Sequence, residues 1–164
     1  MAACALEATL TIAGRSGKRS IRFDEFPAGY LTPRLAPGEI LTRVDLPRRE
    51  QGSGWAFEEF SLRAADFAVV AVAALLALGA DRRVRRASIA IGGLGAAPVR
   101  LAAAESLLVG HPCDAERVAD AARAAAELRA DGDEVYPAEY RRHLAGVLTR
   151  RALERALARG RKGV

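Results

Sequence analysis

Histidine, cysteine and aromatic residues are scarce in this sequence, and each shortage removes a class of chemistry. The two histidines, His111 and His143, have no partner at metal-ligand spacing, and the two cysteines, Cys4 and Cys113, stand far apart with no CxxC neighbour. Neither a disulfide framework nor a zinc site is indicated, and a reducing cytoplasm suits such a chain. There is no nucleophile elbow and no P-loop, so nucleophilic catalysis and nucleotide hydrolysis lack support. Aromatic residues make up only 5% of the chain, while the net charge of +5 and the pI near 9.9 come from arginines scattered along it. A nucleic-acid module gathers its basic residues on one face or interleaves them with aromatics, so no nucleic-acid partner is expected. Long apolar runs are missing too. The longest, Phe67 to Ala80, has fourteen residues, short of the roughly 20 that cross a bilayer as a helix. No basic region precedes the apolar residues that follow Met1, so no signal peptide is expected.

What the sequence does hold is core: 51% of its 164 residues are hydrophobic, enough for one globular domain, or for one plus part of another. Leu6, Ala8, Leu10 and Ile12 alternate with Glu7, Thr9 and Thr11, which predicts a strand. The turn residues Gly14 to Lys18 lead into a second alternation at Ser20 to Phe23, completing a hairpin. After the Pro33 to Gly38 stretch, Ile40, Thr42, Val44 and Leu46 alternate with Leu41, Arg43 and Asp45. That third strand ends at Pro47, and the alternation sets Leu41 on its otherwise polar face. A charged, glycine-containing stretch over 48–54 marks a boundary. Trp55 to Phe60 reads as a strand, and the apolar runs Phe67 to Leu78 and Val84 to Ile91 flank a turn at 79–81, predicting an antiparallel hairpin. Helix stays open for 67–78, because alanine and leucine favour it and an apolar run of this length has no diagnostic period.

Beyond Pro98 the spacing turns helical. Leu101, Ala104 and Leu108 share a face, Gly110 and Pro112 stop that helix, and Asp114 offers an N-cap to the next, striped by Val118, Ala121, Ala122, Ala125 and Leu128. Pro137 suits the first turn of a long last helix with Tyr140, Leu144, Val147 and Leu148 on its apolar stripe. The basic tail, 155–162, complements the helix dipole and is expected to fray. Strands first and helices last predict an α+β fold, a small antiparallel sheet packed against a C-terminal helical bundle. Gly92-Gly93-Leu94-Gly95 falls short of a dinucleotide fingerprint and reads as a strand-to-helix turn with close backbone packing. Arg63 and Asp66, just ahead of the most apolar segment, need partners, either each other or exposed backbone at the strand edge.

Four series in order, Gly54-Trp-Ala-Phe57, Arg63-Ala-Ala-Asp66-Phe-Ala-Val-Val, Ile91-Gly-Gly-Leu-Gly-Ala-Ala-Pro-Val-Arg100 and Ala138-Glu-Tyr-Arg-Arg-His-Leu-Ala-Gly-Val-Leu-Thr-Arg-Arg-Ala152, resemble the FAD-binding, or medium, subunits of molybdenum hydroxylases of the carbon monoxide dehydrogenase and xanthine dehydrogenase type. The resemblance implies that residues 54–160 form that family's C-terminal domain. It also implies that residues 1–50, with Tyr30-Leu-Thr-Pro and Pro37-Gly-Glu-Ile-Leu-Thr, are the tail of its second flavin-binding subdomain. The implied role is electron transfer: FAD accepts electrons through iron–sulfur clusters on a small subunit from the molybdenum cofactor of a large one, and no substrate is oxidised on this chain.

Residue by residue, Ile40 and Leu41 match a stretch beside the flavin ring, and Phe57 matches an aromatic position next to the isoalloxazine. Glu58 and Glu59 cover a stretch where many relatives carry lysine, and Asp66, in the second matched series, completes the cofactor-binding candidates. No catalytic or metal-binding residue is expected. The family's glycine-containing pyrophosphate loops do not occur here, so the implied partners include a chain carrying the missing FAD-binding half. The alternative is a non-catalytic assembly module that has lost FAD.

Overall fold

The structure is a computed structural model that describes residues 1–50, 52–63 and 66–161. A one-turn helix, α1 (Ala2–Ala5), precedes the hairpin of β1 (Thr9–Gly14) and β2 (Gly17–Arg22). The short strands β3 (Pro27–Gly29) and β4 (Thr32–Pro33) follow, then β5 (Ile40–Asp45), β6 (Ser53–Phe60), β7 (Val70–Leu78), β8 (Val84–Gly92) and β9 (Val99–Arg100). Helices α2 (Ala102–Leu108), α3 (Ala115–Ala126) and α4 (Ala138–Arg161) complete the α+β order. The strands make three antiparallel sheets, ordered β2-β1-β5, β3-β4 and β6-β7-β8-β9.

β7 is the centre of the largest sheet and has two unlike faces. Val70, Val72, Ala74, Leu76 and Leu78 join the main core under the helices, together with Ile89 and Ile91 of β8. On the other face Ala73, with Ala90 of β8, packs against Cys4 and Ala5 of α1. A strand buried on both sides loses its polar alternation, and this is why 67–78 was ambiguous in sequence; pairing on both edges settles it as strand. Each fully buried leucine or isoleucine here contributes about 2 kcal/mol.

The N-terminal strand begins later than the alternation predicts. Ala2–Ala5 coil into a helical turn, Leu6 caps it, and Glu7 takes a left-handed φ of 54° before β1 starts at Thr9. Burial of Cys4 and Ala5 against the alanine face of β7 and β8 outweighs the local period.

At the other end the basic tail does not fray within the described residues: α4 is helical to Arg161, with Ala156 and Gly160 buried. The cause is a close approach. A methyl group on Gly54 of β6 would overlap the Ala156 carbonyl oxygen and the Gly160 nitrogen, so only glycine lets α4 lie this near. Lys162 lies outside the described residues.

β5 departs from simple alternation as well. Its register with β1 shifts at Thr42, so Arg43 faces Thr11 while Leu41 faces Ile12. Residues directly opposite in a sheet share a face, and the bulge thus turns Leu41 toward the buried Ile12 and leaves it half-buried, not on a polar face. Ile40, opposite Ala13, is 64% exposed.

Candidate functional site

β6 is an edge strand whose alternation sorts its residues cleanly. Gly54, Ala56 and Glu58 are buried, and Trp55, Phe57 and Glu59 point out. Across the ladder Trp55 faces Leu75, Phe57 faces Ala73 and Glu59 faces Ala71. Because Ala73 is small and α1 stands off from β6, an apolar groove of about 430 Å³ opens there. Trp55, Phe57, Leu75 and Ala73 line it from the sheet, Ala5 and Leu6 from α1, and Arg49 stands at its rim. The Arg159 guanidinium lies 4.5 Å from the Trp55 ring centroid and its Nη1 donates to the Trp55 carbonyl at 2.8 Å, which fixes that wall from the α4 side.

Of the five sequence candidates, only Phe57 lines this groove. Glu58 points the opposite way and is 8% exposed, its carboxylate accepting from Arg155 Nη1 at 2.5 Å. One flat ring cannot lie against both side chains, and the alternation gives Glu58 a structural partner instead. Ile40 and Leu41 stand at the start of β5 in the three-stranded sheet, apart from β6. Asp66 is exposed; its Oδ1 accepts the Phe67 N–H at 2.8 Å and its own N–H donates to the Arg63 carbonyl at 3.2 Å. The backbone, not the Arg63 guanidinium, therefore occupies the Asp66 carboxylate. Trp55 and Glu59 were missed as site residues, although period two from Phe57 places both on its face.

Gly92-Gly93-Leu94-Gly95 is a tightly packed turn. Gly93 has a φ of +90°, and a methyl group there would overlap the Val69 carbonyl oxygen. Glycine is thus required at Gly93 for close backbone packing, while the outer side of the turn borders an open hollow of about 610 Å³ shared with Phe67, Asp131 and Arg141. FAD requires a cradle for its phosphates and a flat apolar wall for its ring; the groove beside Phe57 fits the ring, and the glycine turn does not line that groove. Among the described residues no cluster of His, Cys, Asp or Glu is placed to hold a metal, and no helix is long and apolar enough to cross a membrane. Burial pushes the Cys4 thiol up and Cys113 up to about 11, so both stay protonated and unreactive near neutrality.

Residues 55–156 match the CO dehydrogenase flavoprotein C-terminal domain. The chain belongs to that family. Residues 1–49 match the FAD binding domain in molybdopterin dehydrogenase. Similar proteins include the 6-hydroxypseudooxynicotine dehydrogenase complex subunit alpha of Paenarthrobacter nicotinovorans, 32% identical over 96% of this chain and 53% of the relative. The carbon monoxide dehydrogenase medium chain of Afipia carboxidovorans is 32% identical over 95% of this chain and 54% of its own. In three dimensions the fold superposes on carbon monoxide dehydrogenase from Hydrogenophaga pseudoflava with a TM-score of 0.91 at 28% identity, covering 96% of this chain and 55% of that one. The chain thus spans about half the length of these relatives.

Proposed function

We propose that this chain is part of an FAD-binding electron-transfer subunit of a molybdenum hydroxylase, working in the cytoplasm beside a large molybdenum-cofactor subunit and a small iron–sulfur subunit. The observation that carries the reading is the open apolar groove beside Phe57, on a chain whose two matched families are a flavoprotein domain and an FAD-binding domain. FAD, when bound, supplies the acceptor for electrons arriving through iron–sulfur clusters. Phe57 and Trp55 would hold its ring by aromatic contact, and Ile40, Leu41 and Asp66, which lie outside the groove, would meet the cofactor elsewhere, as the family resemblance implies. Glu59 shares the outward face of β6 with Phe57, and a carboxylate there opposes negative charge on a reduced ring. The phosphates would be held by residues of another chain or segment.

A second reading has its own support in the glycine turn, where Gly93 serves close backbone packing against Val69 and the sequence falls short of a dinucleotide fingerprint. In it the chain is an assembly module that no longer binds FAD. Gel filtration of the purified chain with FAD, alone and together with a polypeptide carrying the FAD-binding half, separates the two. Stoichiometric, fluorescence-quenched flavin in either sample supports the electron-transfer subunit. A folded protein that stays flavin-free in both leaves only the assembly role.

A further inference from the structure

The ladder between β7 and β8 stops at Ala71 and Gly92, and just beyond it two carbonyl oxygens, those of Val69 and Gly93, converge on one nitrogen. Arg141 Nη1 donates to the first at 3.0 Å and to the second at 2.8 Å. Its Nη2 donates to Asp133 Oδ2 at 2.7 Å, and its guanidinium lies 5.7 Å from the Tyr136 ring centroid. Asp133 is itself fixed, since its Oδ1 accepts the N–H groups of Val135 at 3.0 Å and Tyr136 at 2.6 Å. One planar fork thus ties three segments: the end of the β6–β7 connection, the glycine turn after β8, and the α3–α4 connection.

This placement is not explained by the helix. Arg141 is the fourth residue of α4, where the positive end of the helix dipole disfavours a cation. Nor does a strand need it, because the ladder has already ended. What Arg141 holds is the Val69 carbonyl, at the end of the stretch 66–69 that leads into β7. That connection carries Asp66 and the 96% exposed Phe67, and it is otherwise anchored near its end by the Val69 N–H, which donates to the Phe60 carbonyl at 2.7 Å. Lysine could not replace the fork, since a single ammonium cannot keep two carbonyls and a carboxylate in one plane.

We propose that Arg141 is a positioning residue, which sets the connection between β6 and β7 and with it the stance of Asp66 and Phe67 toward the cofactor. The inference rests on the flavin reading above. The test compares wild type, Arg141→Lys and Asp133→Asn by hydrogen exchange of the chain, and by the visible spectrum of flavin in the assembly that retains FAD. Arg141→Lys is expected to keep exchange of β6, β7 and β8 unchanged and to raise exchange in peptides covering 61–69 by about tenfold. It is also expected to shift the bound flavin's absorption, and Asp133→Asn to do both to a lesser degree. Unchanged exchange over 61–69, a uniform rise throughout the sheet, or a loosened connection with an unaltered flavin spectrum would each overturn it. If wild type holds no FAD in any assembly, the flavin reading fails and the cofactor role of Arg141 falls with it. The exchange measurement then reports separately whether Arg141 holds the connection.

Discussion

Glu58 and Arg155 meet at 2.5 Å across the seam between β6 and α4, although 97 positions separate them in the chain. The two ends of the pair are unequal: the carboxylate is buried and the guanidinium is largely in water. Removing the arginine leaves a buried charge without its partner, whereas removing the carboxylate frees an arginine that is already solvated. Arg155→Ala is expected to cost about 1 to 2 kcal/mol in urea unfolding, and Glu58→Met less. Equal losses would mean that Glu58 is hydrated rather than dependent on Arg155. Neither substitution is expected to alter flavin retention, because Glu58 faces away from the groove.

Gly54 gives a sharper contrast with a second glycine. Gly54→Ala forces the last turn of α4 off the sheet and is expected to lower stability by about 3 kcal/mol or prevent folding. Gly95→Ala, where the added carbon would sit 3.5 Å from an Asp131 oxygen in ordinary contact, is expected to fold with a near wild-type melting temperature.

Acid stability depends in part on an ion pair between β2 and the residue ahead of β5 in the three-stranded sheet. Arg19 Nε and Nη2 donate to the Glu39 carboxylate, both at 2.8 Å, and the Ala36 N–H donates at 2.7 Å. These bonds, the arginine's first, hold Glu39 at about 2, below its usual 4.5. A depressed carboxylate contributes its full stability above the unfolded value and loses it as pH falls through the folded one. The melting temperature of wild type should therefore fall more steeply between pH 4.5 and 2 than that of Glu39→Gln. Parallel curves would show that the pairing is not maintained in solution.

Thr149 Oγ1 is fully buried in α4 without a hydrogen-bond partner among the described residues. Thr149→Val keeps the shape and removes the unpaired hydroxyl, so thermal unfolding should show a gain of up to about 1 kcal/mol. A loss would point to a bond that the hydroxyl makes by rotation.

Much of the fold was legible because pattern and burial agree. The hairpins, the Asp114 N-cap, which accepts the Arg117 N–H at 3.0 Å, and the burial of Leu101, Ala104 and Leu108 all follow from spacing. Features set by contacts from afar were not legible. Ala2–Ala5 became helical because an alanine-lined face lies beneath it, and the bulge at Thr42 turned Leu41 inward. The Phe57 face could be reached from period two, yet only the position of α1 makes it a groove. Arg141 left one trace in the sequence, a cation in the first turn of a helix, where local electrostatics gives no reason for it.

The seam at Gly54 also imposes a schedule on synthesis. Glu58 of β6 leaves the ribosome 97 positions before Arg155, and the residues that cover the strand's inner face, Ala156 and Gly160, follow with Arg159 after that. Contacts this distant in sequence are slow to form. Until that segment emerges the Glu58 face of this strand is uncovered, and apolar surface beside it is open to association with neighbouring nascent chains.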